Sequence, residues 1–240
     1  MIPGGHKFGP RLIHARAKSQ KSVALFGGSF DPIHSGHLAV ARAAVKRFGL
    51  DRVYFIPSGL PPHKQRRKLA AFAHRFAMVS LACVDHEDFV PSLAEAGEDM
   101  SGHKISYSVD TVRHFKHVLH SHEHLYFILG ADQFLEIATW KDYENLLGLC
   151  DFIVANRPGF RMDTLRLVIP PSVLGRHGAY PAPHDPEAIA LRRTTVYPLT
   201  TVSSQVSATE IRRRIRHGET ISGLVPPRIE EYIQKQELYR

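Results

Sequence analysis

LFGGSFDPIHSGHL, residues 25–38, joins the end of an apolar run to the start of an alanine-rich helical pattern. Gly27 and Gly28 follow the apolar run directly and would let the backbone approach a ligand closely. His34 and His37 stand three residues apart where the helix begins, at the end of its dipole that favours anions. Both side chains can then donate N–H bonds to the same phosphate group. The stretch therefore predicts a strand-to-helix junction that handles phosphate.

The two histidines also have other interpretations. They could cap the helix, or they could form half of a metal site. A zinc site needs further ligands, and neither a cysteine pattern nor an HExxH motif stands nearby. Phosphate binding is therefore the favoured interpretation.

Strand and helix patterns alternate along the rest of the chain. The predicted strands are residues 23–26, 53–56, 125–129, 152–155 and 195–199, with a further candidate at 89–94. The predicted helices are residues 38–48, 72–84, 109–119, 134–147, 208–217 and 227–238. Alternation of this kind indicates βαβ units, and unbroken apolar strands indicate a sheet that is covered on both faces. We predict an α/β fold, a Rossmann-like doubly wound parallel sheet with helices on both faces and a C-terminal helical segment.

Length and composition suit one domain. The 240 residues are 43% hydrophobic and 22% charged, an ordinary balance for a chain that buries a core. Residues 22–240 are predicted to form a single domain. Residues 1–21 are basic and are expected to be a disordered tail. Residues 161–193 are rich in Pro, Gly and His and are expected to be a long surface excursion.

The charge balance limits the partners. The net charge is +8, which favours polyanionic partners such as nucleic acid, an anionic surface or phosphorylated small molecules. A nucleic-acid-binding module would place its basic residues on one face among aromatics, whereas here they are scattered over loops, tail and last helices. No apolar run approaches the length of a membrane span. We expect no nucleic acid and no membrane as partner, and leave a homo-oligomer open.

Two cysteines bear on the compartment. Cys83 and Cys150 stand in apolar settings and are expected to be small buried side chains. Two distant cysteines give no disulfide framework, so a reducing cytoplasm is the expected location.

GGSFDPIHSGHL resembles the signature of the H-x-G-H nucleotidyltransferases. Later stretches, in the same order, are similar to one branch of them, the bacterial nicotinate mononucleotide adenylyltransferases. These stretches are PSGLPPHK (57–64), ISYSVDT (105–111), LGADQF with ATW (129–140), NRPG (156–159), VSATEIRRRI (206–215) and PPRIEEYIQKQELY (226–239). Three positions depart from the family pattern: Ser108 replaces a common Thr, Ala208 replaces a Ser, and Lys141 stands where some members have an aromatic residue.

The resemblance implies adenylyl transfer. The 5′-phosphate of nicotinate mononucleotide would attack the α-phosphorus of ATP, giving deamido-NAD (nicotinate adenine dinucleotide) and pyrophosphate in NAD biosynthesis. Mg²⁺ would arrive on the ATP phosphates, with no dedicated metal site in the protein. Another phosphorylated substrate, such as phosphopantetheine or nicotinamide mononucleotide, is the alternative, but the PPHK and YSVDT stretches favour nicotinate.

The resemblance also implies site residues. The implied catalytic residues are His34, His37 and Arg212. The implied ATP-binding residues are Gly27, Gly28, Ser29, Phe30, His34, His37, Asp132, Ser207, Thr209 and Arg212. The implied residues for the mononucleotide are Lys64, Tyr107, Ser108 and Trp140.

Several of these residues also have simpler interpretations. Lys64 lies in HKQRRK, which could be a solvated charge run. Ser207 and Thr209 could be helix N-caps, which would still direct amides and hydroxyls at a phosphate. Asp132 could be an N-cap or an acceptor for a ribose hydroxyl. Trp140 could lie in the core or face the pyridine ring.

Overall fold

One sheet organises the chain. The computed structural model describes residues 21–59, 69–97, 105–119, 123–156, 162–175, 185–200 and 206–240. Within these ranges seven strands form a single sheet. They are β1 Ser22–Gly28, β2 Arg52–Pro57, β3 Phe89–Pro91, β4 His124–Gly130, β5 Asp151–Ala155, β6 Ile189–Ala190 and β7 Thr195–Leu199. Residues 1–20 of the predicted tail, Lys64 and the turn at 157–159 lie outside the described residues.

Helices connect the strands. They are α1 Ser35–Phe48, α2 Phe72–Cys83, α3 Ser108–Val118, α4 Ala131–Leu135, α5 Tyr143–Leu147, α6 Ala208–Arg216 and α7 Pro227–Lys235, with 3₁₀ turns at Ile137–Thr139 and Met162–Val168. Among the described residues, no helix combines the length and the apolar character needed to cross a membrane.

The strand order places the ligand-binding edge. The order is β3-β2-β1-β4-β5-β7-β6, and among the described strands only β6 pairs antiparallel. The chain winds outward from β1 through β2 to β3, then returns to β4 and winds the other way. Such a reversal opens a crevice at the carboxyl ends of the two central strands. The predicted doubly wound α/β fold is confirmed.

Both faces of the sheet are buried, as the apolar strands predict. Ala24 and Phe26 of β1 face one cluster, which also contains buried residues of α1, α2, α6 and α7. Val23 and Leu25 face the other cluster, with buried residues of α3, α4 and α5. Alternate residues of one strand therefore hold helices on opposite faces, so the loops at the sheet's edge rest on a packed support.

The cysteines belong to this packed interior. Cys83 and Cys150 are both buried free thiols, as predicted. Burial raises the pKa of Cys83 to about 12 and raises the pKa of Cys150 as well. Neither thiol is suited to nucleophilic chemistry.

One predicted helix is wrong. Residues 134–147 do not form a continuous helix, because α4 ends at Leu135, a 3₁₀ turn follows, and α5 begins only at Tyr143. Trp140 has an extended backbone and Asp142 is left-handed, with φ of 52°. The apolar pattern continues through the break because both short helices pack on the same face of the sheet.

The expected surface excursion at 161–193 is also wrong in its described parts. Leu165 and Ile169 are buried, and so are Ile189 and Leu191. Residues 189–190 pair with β7 as an edge strand. The isolated apolar residues of this region complete the core, although Pro and Gly interrupt any periodic pattern around them.

Candidate active site

Two adjoining cavities open at the carboxyl ends of β1 and β4. The larger has a volume of about 610 Å³ and the smaller about 300 Å³. Residues that line both are Gly27, Gly28, Ser29, Asp132 and Gln133. The end of β1 and the start of α4 therefore form a wall that the two cavities share, and a group bound in one cavity can reach the other across it.

The smaller cavity collects one set of sequence-predicted residues. All the residues that the sequence resemblance implied for ATP border it: Gly27, Gly28, Ser29, Phe30, His34, His37, Asp132, Ser207, Thr209 and Arg212. The N-termini of α1 and α6 both reach this cavity. Two helix N-termini with a nearby arginine make an anion-binding environment.

His34 and His37 are stacked at the start of α1. Their ring centroids are 3.7 Å apart, with 27° between the planes. His37 Nδ1 accepts a hydrogen bond from the backbone N–H of His34 at 3.2 Å, so the capping interpretation is confirmed. An accepting Nδ1 leaves the proton of a neutral imidazole on Nε2. His34 is buried and His37 is partly exposed, so His37 offers the more accessible N–H donor.

Phe30 supports this arrangement from the core side. Only 1% of Phe30 is exposed, and its ring meets the His37 ring edge-on with centroids 5.0 Å apart. Its backbone φ of 45° lies in the left-handed region, which is costly for a bulky side chain. This backbone conformation places the Phe30 ring against His37, where the loop turns toward α1.

Arg212 extends from α6 to the loop between β1 and α1. Its Nη1 donates to the backbone carbonyl of Asp31 and lies 3.5 Å from Asp31 Oδ2. Its Nη2 lies 3.3 Å from Thr209 Oγ1. The neighbouring Arg213 and Arg214 instead bond to Glu210. Among these three arginines, only Arg212 lines the small cavity.

Of Ser207 and Asp132, which the sequence offered as possible helix N-caps, only Ser207 caps a helix. Ser207 caps α6, because its hydroxyl accepts from the backbone N–H of Glu210 at 3.2 Å. Asp132 is not an N-cap, because Gly130 occupies that position of α4. A side chain at Gly130 would place its Cβ 2.5 Å from Asp132 Oδ1. Asp132 is exposed and lines both cavities, and it is not the N-cap of α4.

The larger cavity is lined by those residues predicted for the mononucleotide that the structure describes. Tyr107, Ser108 and Trp140 line it, together with Lys141. The Trp140 ring is half-buried and meets Phe127 edge-on at 6.4 Å, so it both packs on the core and forms the cavity wall. Lys141 Nζ lies 4.3 Å from the centroid of the Tyr107 ring.

Comparison with known proteins agrees with these features. The cytidylyltransferase-like family model matches residues 25–214. A probable nicotinate-nucleotide adenylyltransferase of Thermoanaerobacter sp. (strain X514) is 38% identical over 91% of this chain and 94% of its own length. The chain belongs to the cytidylyltransferase-like family, among the nicotinate-nucleotide adenylyltransferases. A probable enzyme of the same name from Moorella thermoacetica is 41% identical over 91% of each chain. The resemblance inferred from the motifs is confirmed.

A solved structure shares the fold of this family member. The nicotinic acid mononucleotide adenylyltransferase of Plasmodium falciparum, complexed with APC, superposes with a TM-score of 0.67 at 20% identity. The alignment covers 91% of this chain and 97% of that one. The fold is therefore retained where most of the sequence has diverged.

Sequence reasoning missed Glu95 in the larger cavity. Its carboxylate accepts hydrogen bonds from Ser106 Oγ at 2.5 Å and from Thr111 Oγ1 at 2.7 Å. Burial raises its pKa, while these hydroxyls, a backbone bond from Gly59 and the charge of Arg75 oppose the shift. Ser106 and Thr111 both fall in the ISYSVDT motif, whereas Glu95 stands outside any quoted motif and gave no signal.

Sequence reasoning also missed Arg75, a buried arginine of α2. Its guanidinium donates to the backbone carbonyls of Ser29, Ser58, Gly59 and Ala70 at 2.8–3.3 Å. Burial lowers its pKa, and nearby acidic groups partly offset that effect. Arg75 therefore ties the loop after β1 to the loop after β2, which are the two lips of the crevice.

No protein metal centre is found in the described part of the chain. There, no three side chains among His, Cys, Asp and Glu come together as a possible metal-binding group. Lys64 lies outside the described residues, so its predicted contact stays a prediction.

Proposed function

We propose that this chain transfers the adenylyl group of ATP to nicotinate mononucleotide, forming nicotinate adenine dinucleotide and pyrophosphate in NAD biosynthesis. The observation that carries the proposal is the pair of joined cavities at the strand reversal. One contains His37, Arg212 and two helix N-termini, which suit a triphosphate. The other is walled by Trp140 and Tyr107, which suit a pyridine ring. The curated relatives that align over nine-tenths of the chain bear the corresponding name.

The reaction requires little covalent work from the protein. An oxygen of the mononucleotide's 5′-phosphate forms a bond to the α-phosphorus of ATP, and the bond from that phosphorus to the bridging oxygen of the β-phosphate breaks. The electron pair leaves with pyrophosphate. Because the attacking phosphate oxygen is already ionised, no base has to remove a proton. Catalysis then rests on alignment and on stabilising charge.

The smaller cavity supplies that stabilisation. We assign His37 as a catalytic donor because it lines the smaller cavity and its Nδ1 accepts from the His34 backbone, which places the proton of a neutral ring on Nε2. His34 would bind ATP through the same stacked pair. Arg212 would contact the phosphates, with Ser207 and Thr209 at the N-terminus of α6 beside it.

The backbone and polar wall complete the ATP site. Gly27, Gly28 and Ser29 would bring main-chain amides close to the nucleotide, with Phe30 fixing the turn behind them. Asp132 would accept a hydrogen bond from a ribose hydroxyl, since its carboxylate is exposed between the cavities.

The larger cavity would hold the mononucleotide. The Trp140 ring would pack on the pyridine face, and backbone amides near Tyr107 and Ser108 would donate to the nicotinate carboxylate. Lys64 would approach the mononucleotide from the PPHK loop. Mg²⁺ would enter as part of the ATP substrate and would help to neutralise charge on the leaving pyrophosphate.

The test is pyrophosphate release with ATP and one acceptor at a time: nicotinate mononucleotide, nicotinamide mononucleotide or phosphopantetheine. We expect turnover to be fastest with nicotinate mononucleotide and to require Mg²⁺. Identification of the dinucleotide by mass links pyrophosphate release to transfer rather than to ATP hydrolysis. Faster turnover with either other acceptor would refute the proposed substrate, and release without a dinucleotide product would refute the transfer.

A further inference from the structure

Asp31 connects the phosphate cavity to the segment that follows α7. This residue lies in the loop between β1 and α1, and its side chain is only 2% exposed. A buried carboxylate is costly unless hydrogen bonds and charges compensate it. Asp31 Oδ1 accepts from the backbone N–H of Ala70 at 3.1 Å and from the hydroxyl of Tyr239 at 2.9 Å. Its Oδ2 faces Nη1 of Arg212 at 3.5 Å.

The two oxygens of Asp31 therefore have different partners. The Tyr239 hydroxyl holds one oxygen, which fixes the plane of the carboxylate and turns the other toward the guanidinium. Arg212 is anchored twice to the same residue, at the backbone carbonyl and at the carboxylate. Both contacts are made by Nη1, while Nη2 lies 3.3 Å from Thr209 Oγ1. Because the donors of a guanidinium lie in a rigid plane, holding Nη1 limits the directions in which the other donors can point.

The segment after α7 is itself held in a set shape. Glu237 and Tyr239 both have positive φ, 49° and 68°, a conformation that side chains rarely adopt. The Leu238 backbone N–H closes the turn by donating to the carbonyl of Ile233 at 3.1 Å. This turn brings the Tyr239 ring back toward the β1–α1 loop. Burial and the adjacent Asp31 charge raise the pKa of the Tyr239 hydroxyl, which keeps it protonated as a donor.

We propose that Tyr239 is a positioning residue for adenylyl transfer: through Asp31 it orients the guanidinium of Arg212 toward the phosphates in the smaller cavity. This role rests on the proposed function. Tyr239 lines neither of the two cavities, so it would act through Asp31 and Arg212 without touching the reacting atoms.

The test compares two tyrosine-to-phenylalanine variants. Tyr239→Phe keeps the ring and removes the donor to Asp31. Tyr232→Phe is the matched control, because the Tyr232 hydroxyl bonds to His74 Nδ1 at 2.9 Å instead. We expect Tyr239→Phe to lower kcat roughly tenfold, the lower end of the effect of a hydrogen bond to a charged group, with KM for nicotinate mononucleotide unchanged. Tyr232→Phe should keep the wild-type kcat. Equal kcat for Tyr239→Phe and wild type would overturn the proposal.

A double-mutant cycle separates positioning from general support. Lysine at 212 is a point charge with no planar fork to orient. Adding Tyr239→Phe to Arg212→Lys should therefore cost less than about twofold in kcat, since the two residues act in series. The same tenfold loss in both backgrounds would show that Tyr239 acts independently of Arg212, and would overturn the proposal.

Two further outcomes are distinguishable. If Tyr239→Phe does not fold by circular dichroism, Asp31→Asn tests the same link, and a folded Asp31→Asn protein with wild-type kcat would overturn it. If the wild type itself releases no pyrophosphate with any acceptor, the proposed function fails and this role fails with it. An active wild type with an unaffected Tyr239→Phe variant rejects the positioning role alone.

Discussion

The His37 side chain has two hydrogen-bonding ends, and two substitutions test the donor end. Nδ1 accepts from the His34 backbone, and Nε2 is the proposed donor to phosphate. Asparagine places its amide oxygen near the position of Nδ1 and has nothing at Nε2. Glutamine at this third helical position can also accept from the His34 N–H, as Gln133 does from the Gly130 N–H at 3.2 Å, and its amide nitrogen remains a donor toward the cavity. His37→Asn therefore removes the donor, and His37→Gln keeps one.

The expected effects follow from what each variant removes. His37→Asn loses one preorganised donor to developing charge, which corresponds to roughly 10²- to 10³-fold in kcat, or about 3–4 kcal/mol. His37→Gln keeps a donor and can keep the bond that caps the start of α1, so little stability should be lost. Its kcat should fall by roughly tenfold or less, because a flexible amide is less well oriented than a stacked ring.

The assay is steady-state pyrophosphate release with both substrates varied, accompanied by urea unfolding of each variant. We expect the kcat of His37→Asn to fall while its KM for ATP changes much less, because the lost contact strengthens in the transition state. We expect similar stabilities for the two variants, because each keeps an acceptor for the His34 N–H.

Two results would refute the reasoning. A nearly normal kcat in His37→Asn would show that His37 does not stabilise the transition state. Equal losses of kcat in both variants would show that the stacked imidazole ring itself matters, rather than the Nε2–H donor.

Three other predictions use the same protein. Arg212→Ala should lower kcat/KM for ATP by roughly 10²-fold or more. Arg214→Ala should stay within about threefold of wild type, because Arg214 pairs with a carboxylate of its own helix. Similar losses in both variants would indicate a diffuse basic patch. The ratio of kcat/KM for nicotinate mononucleotide over nicotinamide mononucleotide should be on the order of 10² in the wild type. The ratio should fall in Trp140→Ala and should change little in Lys141→Ala, because the Lys141 side chain is 48% exposed. A ratio of one in the wild type would contradict the proposed backbone-amide contacts to the carboxylate. Glu95 has a raised pKa, so between its unfolded pKa and its folded pKa the folded state keeps a proton that the unfolded state loses. The free energy of unfolding of the wild type, relative to Glu95→Gln, should therefore fall as the pH rises through that window, by at most about 1.4 kcal/mol per pH unit. A pH-independent difference between the two proteins would contradict the raised pKa.

Local patterns, together with the family resemblance, were enough to predict the fold class and a set of residues that line the smaller cavity. A strand covered on both faces must be an apolar run, so residues 23–26 can be recognised as a buried strand from their own sequence. His34 and His37 are brought together locally, because His34 is the N-cap of α1 and its backbone N–H donates to the His37 side chain. Arg212 was singled out by its position in a motif, and the structure places it at the same cavity.

The tertiary structure determined what depends on distant neighbours. Asp31 meets Tyr239 across 208 positions of sequence, and no local pattern records such a contact. Arg75 stands in no motif of the sequence, and its role depends on four carbonyl partners from separate segments of the chain. The break at Trp140 is invisible in the apolar pattern because the two short helices on either side pack on the same face of the sheet. Hydrogen-bond partners and burial are properties of the assembled chain, so they became visible only when the strands were placed in order.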